Sequence, residues 1–234
     1  MNGPGDLSRQ IGDLKYRLKG AGVTSEETIA DTWARVAGAV ALAERVEARA
    51  HWRDQFLGIL QDYRFLPAGR ILAGAGSGRA VTLFNCFVMG TIPDDMAGIF
   101  ENLKEAALTM QQGGGIGHDF STLRPRGAPV KRVGADASGP VSFMDVWDGM
   151  CKTVMSAGAR RGAMMATLRC DHPDIETFIE AKREKDRLRN FNLSVLVTDR
   201  FIEAVRQDDP GDLGFEGQVD RTVSARGLWD RILA

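Results

Sequence analysis

From Phe65 onward the sequence alternates short runs of β-forming residues with amphipathic stretches of helical period, and few folds accommodate that rhythm. VTLFNCFVMG, residues 81–90, is rich in β-formers and bounded by glycines, so it predicts a strand. Pro93 and Asp94 then introduce a helix whose apolar residues Met96, Ile99, Phe100, Leu103 and Met110 keep helical spacing. Gly113 to Gly115 end that helix, and GIGHDF reads as the next strand. Ser138 and Pro140 open a further helix with Phe143, Val146, Trp147, Met150 and Val154 on one face. GAMMATL reads as a strand, PDIETFIEAK as a helix, NLSVLVT as a strand and TDRFIEAV as a helix. Strand following helix at this interval predicts an α/β fold with parallel pairing. In such folds the ligand lies beyond the C-terminal ends of the strands.

The residues before Phe65 have a different texture. Thr24 and Glu27 form a T-x-x-E pattern that would cap a helix start. The Ala-rich run that follows favours helix, and HWRDQFLGILQDY predicts a second helix before Pro67. Two regions are therefore expected, an N-terminal helical region over 1–64 and an α/β region over 65–234. A net charge of -1 on 234 residues provides no global field for nucleic acid or an acidic membrane, so neither is an expected partner. Any phosphate site must be built locally. No stretch approaches the ~20 apolar residues of a membrane helix. The opening MNGPGDLSRQ lacks a signal-peptide pattern, which places the chain in the cytoplasm as an expectation.

The three cysteines, Cys86, Cys151 and Cys170, are far apart, and His51, His118 and His172 are equally scattered. This spacing suits neither a disulfide scaffold nor a zinc site, so no metal is expected. Four places could carry chemistry. Cys86, central in its apolar run, is either a small buried hydrophobe or a redox thiol that needs a nearby partner. The glycines of QQGGGIGHDF either let backbone approach a ligand or simply cap a helix. They follow a helix and so do not form a dinucleotide fingerprint. LRPRGAPVKR gathers Arg124, Arg126, Lys131 and Arg132, a local phosphate site or a solvated loop. SAGARRGAMMA brackets Arg160 and Arg161 with Gly158 and Gly162, as a ligand-contacting loop or an ordinary surface one. KREKDRLR interleaves both signs and reads as solvated surface.

Taken in order, RFLPAGRILAGAG, VTLFNCFVMGTI, QQGGGIGHDFSTLRPRG, SGPVSFMDVWD, GARRGAMMATL, HPDIETFIEAK and FNLSVLVTD resemble the large, catalytic subunit of ribonucleotide reductase. PAGRILAGAG and NCFVMGTI are similar to its adenosylcobalamin-dependent (class II) branch. The resemblance implies a helical region followed by the first part of a ten-stranded α/β barrel. It implies thiyl-radical reduction of ribonucleotides, diphosphates being the favoured substrate, with a cysteine pair as reductant and a thioredoxin-type protein reloading that pair. By its place in the strand, Cys86 resembles the first member of the pair, and Gly69, Asn85, Cys86 and Gly115 would line the ribose pocket. The family often has Ser or Thr where Gly69 stands. Asp94 would hold the deoxyribose hydroxyl of a deoxynucleoside triphosphate effector at a homodimer interface, with Arg124 and Lys131 on its phosphates. Arg160 and Arg161 fall in the loop that relays effector identity to the substrate base.

The N-x-C-x-E element that carries the radical cysteine has no counterpart in the sequence, nor do the second redox cysteine and the later barrel strands. The resemblance therefore implies an N-terminal portion that associates with the missing C-terminal portion, and an incomplete barrel. Catalysis by this chain alone and binding of adenosylcobalamin by it alone are not expected. The alternative is a non-catalytic deoxynucleotide-binding module that retains the specificity site.

Overall fold

A computed structural model describes residues 5–19, 25–130, 134–154, 162–183 and 186–234. Its contacts divide the chain into two compact units, the first running to Asn85 with a short later return at Gln112–Gly114 and the second comprising most of Cys86–Ala234.

The first unit is helical: α1 (Asp6–Lys15), α2 (Ile29–Ala41), α3 (Arg49–Leu60) and α4 (Gly69–Gly74). Thr24 lies outside the described residues, and the capping box of α2 is built one turn later than expected. Thr28 accepts from Asp31 N while the Asp31 carboxylate accepts from Thr28 N at 2.8 Å. Trp33, Val36 and Ala37 of α2 keep helical spacing and bury against Leu60, Leu72 and Ala75. Beside this core, Arg35 Nη2 donates to Leu72 O at 2.9 Å and to Tyr16 O at 3.3 Å, and its Nη1 bonds Ala75 O. Its Nε pairs with the buried Glu26, which also accepts from Leu18 N and Thr32 Oγ1. Burial alone would raise the Glu26 carboxyl, but these bonds, that of Arg35 foremost, hold it below its ordinary value. A buried charge is tolerated here because every partner is in place.

The second unit is built on a four-stranded sheet, β1 (Cys86–Val88), β2 (Gly115–Asp119), β5 (Met164–Arg169) and β6 (Phe191–Leu196), in that order and parallel throughout. Helices α5 (Met96–Gln111), α6 (Pro140–Thr153), α7 (Ile175–Glu180) and α8 (Asp199–Gln207) follow the successive strands, and α9 (Ala225–Leu233) ends the chain. Two short antiparallel ribbons complete the unit, β3–β4 (Pro129–Val130 with Ala135–Asp136) and β7–β8 (Pro210–Phe215 with Gln218–Ser224). The parallel α/β pattern is the one the sequence rhythm predicts. The second ribbon is an addition to it: Glu216 and Gly217 both take positive φ, as a two-residue hairpin turn demands.

Three expectations about elements need correction. The strand expected over 81–90 is only Cys86–Val88, because Val81, Thr82 and Phe84 are held in turns by Arg79 O, Gln112 O and Thr82 Oγ1. On α5 the buried line is Ile99, Asn102, Ala106 and Met110, while Met96 and Phe100 are exposed. On α6 it is Val141, Met144, Trp147, Asp148 and Cys151, with Val146 exposed and Val154 beyond the helix end. Each buried line includes a polar side chain, Asn102 on α5 and Asp148 on α6. Asn102 Nδ2 bonds its own helix at Gly98 O, and Asp148 accepts from Asn190 N and Nδ2 at 3.1 and 3.0 Å. An apolar-only periodicity does not register such residues.

Side chains alternate across the sheet. Ile116, His118, Met164, Ala166, Leu168 and Phe191 turn to one face and bury in a core with Met110, Phe120, Met144, Trp147 and Phe178. Gly117, Asp119, Met165, Thr167, Arg169, Asn192 and Ser194 share the opposite face with Cys86 and Val88, and all of these are exposed or half-buried.

Candidate functional site

Cys86 begins β1 on the open face, exposed, with Gly115 as its register partner on β2. Cys151 and Cys170 are buried on the covered side, in α6 and just past β5. Burial pushes both of their thiols up. Being on the other side of the sheet, neither can meet Cys86, and all three are free thiols. Of the four residues expected around a ribose, the second unit brings Cys86 and Gly115 together. Gly69, at the start of α4, and Asn85 belong to the first unit. A Cβ at Gly69 would stand 3.2 Å from the Tyr16 ring, so Tyr16 occupies the space a larger residue would take there.

At the C-terminal ends of β2 and β5 the open face carries a polar network that the sequence reading did not single out. Asp119 Oδ1 accepts from Ser121 N at 3.1 Å, Ser121 Oγ at 2.6 Å and Thr167 Oγ1 at 3.1 Å. Ser121 Oγ in turn accepts from Arg169 N at 2.8 Å, and Arg169 Nε donates to Asp171 at 2.8 Å. Arg169 holds the Asp171 carboxyl below its ordinary value. The available signal was position: D-F-S and R-C-D stand at the C-terminal ends of strands, where ligand-facing loops begin.

The basic loop leaves this end of the sheet. Asp94 and Arg124 are brought together as expected of one site, but they are paired with each other. Arg124 N donates to Asp94 Oδ1 at 3.1 Å and Nε to Oδ2 at 2.7 Å, while Nη2 and Nη1 reach Asp94 O and Pro129 O at 3.2 and 3.4 Å. Both side chains remain partly exposed. The loop folds into the β3–β4 ribbon, with Gly127 N bonded to Ala137 O and Ala137 N to Ala128 O. Lys131 and Arg132, and likewise Arg160 and Arg161, lie outside the described residues.

The histidines have other uses. His118 is buried in the covered face beside Phe120 and Trp147, and burial lowers its pKa to about 4, so it is neutral at pH 7. His172, buried after β5, bonds Leu123 O with Nε2 at 2.9 Å and accepts from Asp174 N with Nδ1 at 3.0 Å. Among the described residues no group of three His, Cys, Asp or Glu could hold a metal ion, and no helix is long and apolar enough to cross a membrane.

Two family models match this chain: "Ribonucleotide reductase, all-alpha domain" over residues 3–80 and "Ribonucleotide reductase, barrel domain" over residues 84–232. A vitamin B12-dependent ribonucleoside-diphosphate reductase of Mycobacterium tuberculosis (strain CDC 1551 / Oshkosh) is 43% identical over 158 residues, which cover 67% of this chain and 22% of that protein. Its counterpart in Thermoplasma acidophilum is 38% identical over 186 residues, 78% of this chain and 24% of that protein. The ribonucleoside-diphosphate reductase subunit alpha of Chlamydia pneumoniae is 30% identical over 206 residues, 86% of this chain and 19% of that protein. The chain thus spans less than a quarter of the length of these curated relatives. It belongs to the ribonucleotide reductase large-subunit family, as an all-α region followed by part of the barrel domain.

Proposed function

We propose that the chain takes part in reducing ribonucleoside diphosphates to deoxyribonucleotides, with Cys86 as one thiol of the reducing pair. The observation that carries this reading is an exposed thiol on the open face of a parallel sheet, beside a glycine that puts no side chain in its way. A ribose laid on that face can reach the sulfur. The net chemistry removes the 2′-hydroxyl as water, while two thiols give up their hydrogens and join as a disulfide. Cys151 and Cys170 are on the covered side, so the second thiol comes from outside this chain's own cysteines. A thioredoxin-type dithiol would return the pair to its reduced form.

In the vitamin B12-dependent relatives' manner, adenosylcobalamin would supply the radical. Neither of two cavities among the described residues fits that cofactor. A corrin needs a broad apolar wall. A cavity of about 590 Å³ in the first unit is lined by Glu26, Glu27, Asp31 and Arg35 together with Leu18, Ala34 and small residues. Another in the second unit, of about 80 Å³, is too small for a macrocycle. No residue of this chain is assigned to it. The test supplies the chain with the portion of the Mycobacterium tuberculosis relative outside the match, adenosylcobalamin and a dithiol. Deoxyribonucleotide should form with the unmodified chain and not with Cys86→Ser. Product from both would remove Cys86 from the chemistry, and product from neither would remove the reading.

The meeting of Asp94 and Arg124 at the base of the basic loop favours a second role for the same chain, deoxynucleotide sensing. Asp94 would receive the deoxyribose hydroxyl and Arg124 with Lys131 the phosphates, at the interface of a homodimer. Arg160 and Arg161 would relay the effector's identity, a coupling between two sites. Effector binding then exchanges the Asp94–Arg124 ion pair for charge-assisted bonds to ligand. Calorimetric titration with the four deoxynucleoside triphosphates should show saturable binding that Arg124→Ala abolishes. Undiminished affinity in that variant would end this second reading.

A further inference from the structure

The turn after β5 contains two polar side chains that serve neither the sheet nor their own helix. The N–H of Asp174 obliges Nδ1 of His172 to accept, so Nε2 carries the proton and donates to Leu123 O, the residue before the basic loop. Asp174 stands at the N-cap of α7, where an aspartate ordinarily accepts from the free N–H groups of its own helix. It makes no such bond. Its Oδ2 instead accepts from Arg126 N at 2.9 Å, 48 residues away. Forgoing a cap weakens a helix start, and α7 is only six residues long. A local rule broken in this way marks a position where another requirement dominates.

That requirement is the loop that leaves at Arg124 and returns at Gly139. Gly139 has φ 78°, and a Cβ there would lie 2.6 Å from Asp174 Oδ2 and 2.9 Å from Arg126 N. One carboxylate therefore grips the loop's entry by a hydrogen bond and receives its exit in close packing that only glycine permits. On the other side Asp94 holds Arg124 N and guanidinium. The turn is itself braced by the β7–β8 ribbon, through Gly214 N to Asp171 O at 2.7 Å and Arg221 Nη2 to Pro173 O at 3.1 Å.

We propose that Asp174, oriented by His172, is the positioning residue of this loop, holding its entry at Arg126 and its exit at Gly139 so that Arg124 and Arg126 are placed for the triphosphate of a deoxynucleotide. The proposal rests on the effector reading above. Its physical content is that the loop's two ends, at Arg126 and Gly139, are held on folding, so that ordering them does not have to be supplied by the ligand.

The experiment compares the unmodified chain with Asp174→Ala and Asp174→Asn, by calorimetric titration with the four deoxynucleoside triphosphates and by amide hydrogen exchange. Asn keeps an oxygen that can accept from Arg126 N, and Ala does not. Affinity should fall roughly tenfold or more in Asp174→Ala and stay within about threefold in Asp174→Asn. Exchange at residues 126–130 should quicken in the alanine variant and leave β5 and β6 unchanged. Equal effects of Ala and Asn, or faster exchange confined to α7, would assign Asp174 to the helix and overturn the proposal. An alanine variant that binds like the unmodified chain would overturn it as well. If the unmodified chain binds none of the four triphosphates, the effector reading fails. Exchange then decides the clamp alone, and unchanged loop exchange in Asp174→Ala would sink it.

Discussion

The two faces of the four-stranded sheet are made by the same strands and have opposite characters. On the covered face every second residue is apolar apart from His118, and Trp147 and Phe120 pack over it with no exposure. On the open face the intervening positions carry a thiol, glycines, a carboxylate, hydroxyls and an arginine, and Val88 is 98% exposed. All-parallel sheets ordinarily have both faces covered, and the open one is the face a closed barrel turns inward. The contrast separates the residues that keep the unit folded from those available to a ligand.

The widest expected difference is in thiol reactivity. Cys86 should react with a thiol reagent in native buffer, while Cys151 and Cys170 wait for an opening of the structure and react on the order of a thousandfold more slowly. Three thiols reacting together would abolish the distinction between the faces. Next in size is packing. Trp147→Ala on the covered side should cost about 3–5 kcal/mol, whereas Met165→Ala on the open face should stay within about 0.5 kcal/mol. Urea midpoints of the two variants compare them directly, and similar losses would mean that the open face is packed in solution.

A smaller effect sharpens the covered face alone. The pKa of His118 is lowered from 6.5 to about 4, so between those values the unfolded chain binds a proton that the folded chain refuses. The stability His118 allows is full above pH 6.5, declines as pH falls, and is lost completely below about 4, on the order of 3 kcal/mol in all. Among the described residues neither ring nitrogen has a hydrogen-bond partner, so His118→Leu sacrifices none of the described bonds and should flatten the decline between pH 6.5 and 4.5. An equally steep acid limb in that variant would place the titrating group elsewhere.

Much of this was legible along the chain. Runs of β-formers separated by helical period predict parallel α/β structure because both signals are local and repeat within each segment. Cys86, central in its apolar run, and the cluster of Arg124, Arg126 and Lys131 stand out for the same reason. The order of several motifs identifies the family, which its domain models match over residues 3–80 and 84–232. The β7–β8 hairpin left a weaker trace in its Glu216–Gly217 turn.

What only the tertiary structure decided are the relations between distant polar groups. Asp148 is buried on α6 and accepts from Asn190, 42 residues on. Asp94 meets Arg124 across 30 residues, and Asp174 abandons its own helix for Arg126 across 48. A buried carboxylate is stable only where its partners converge, and the sequence near such a residue does not name those partners. Hydrophobic period therefore announced the layers of this protein, while the contacts that shape its candidate effector loop emerged only once the chain had folded back on itself.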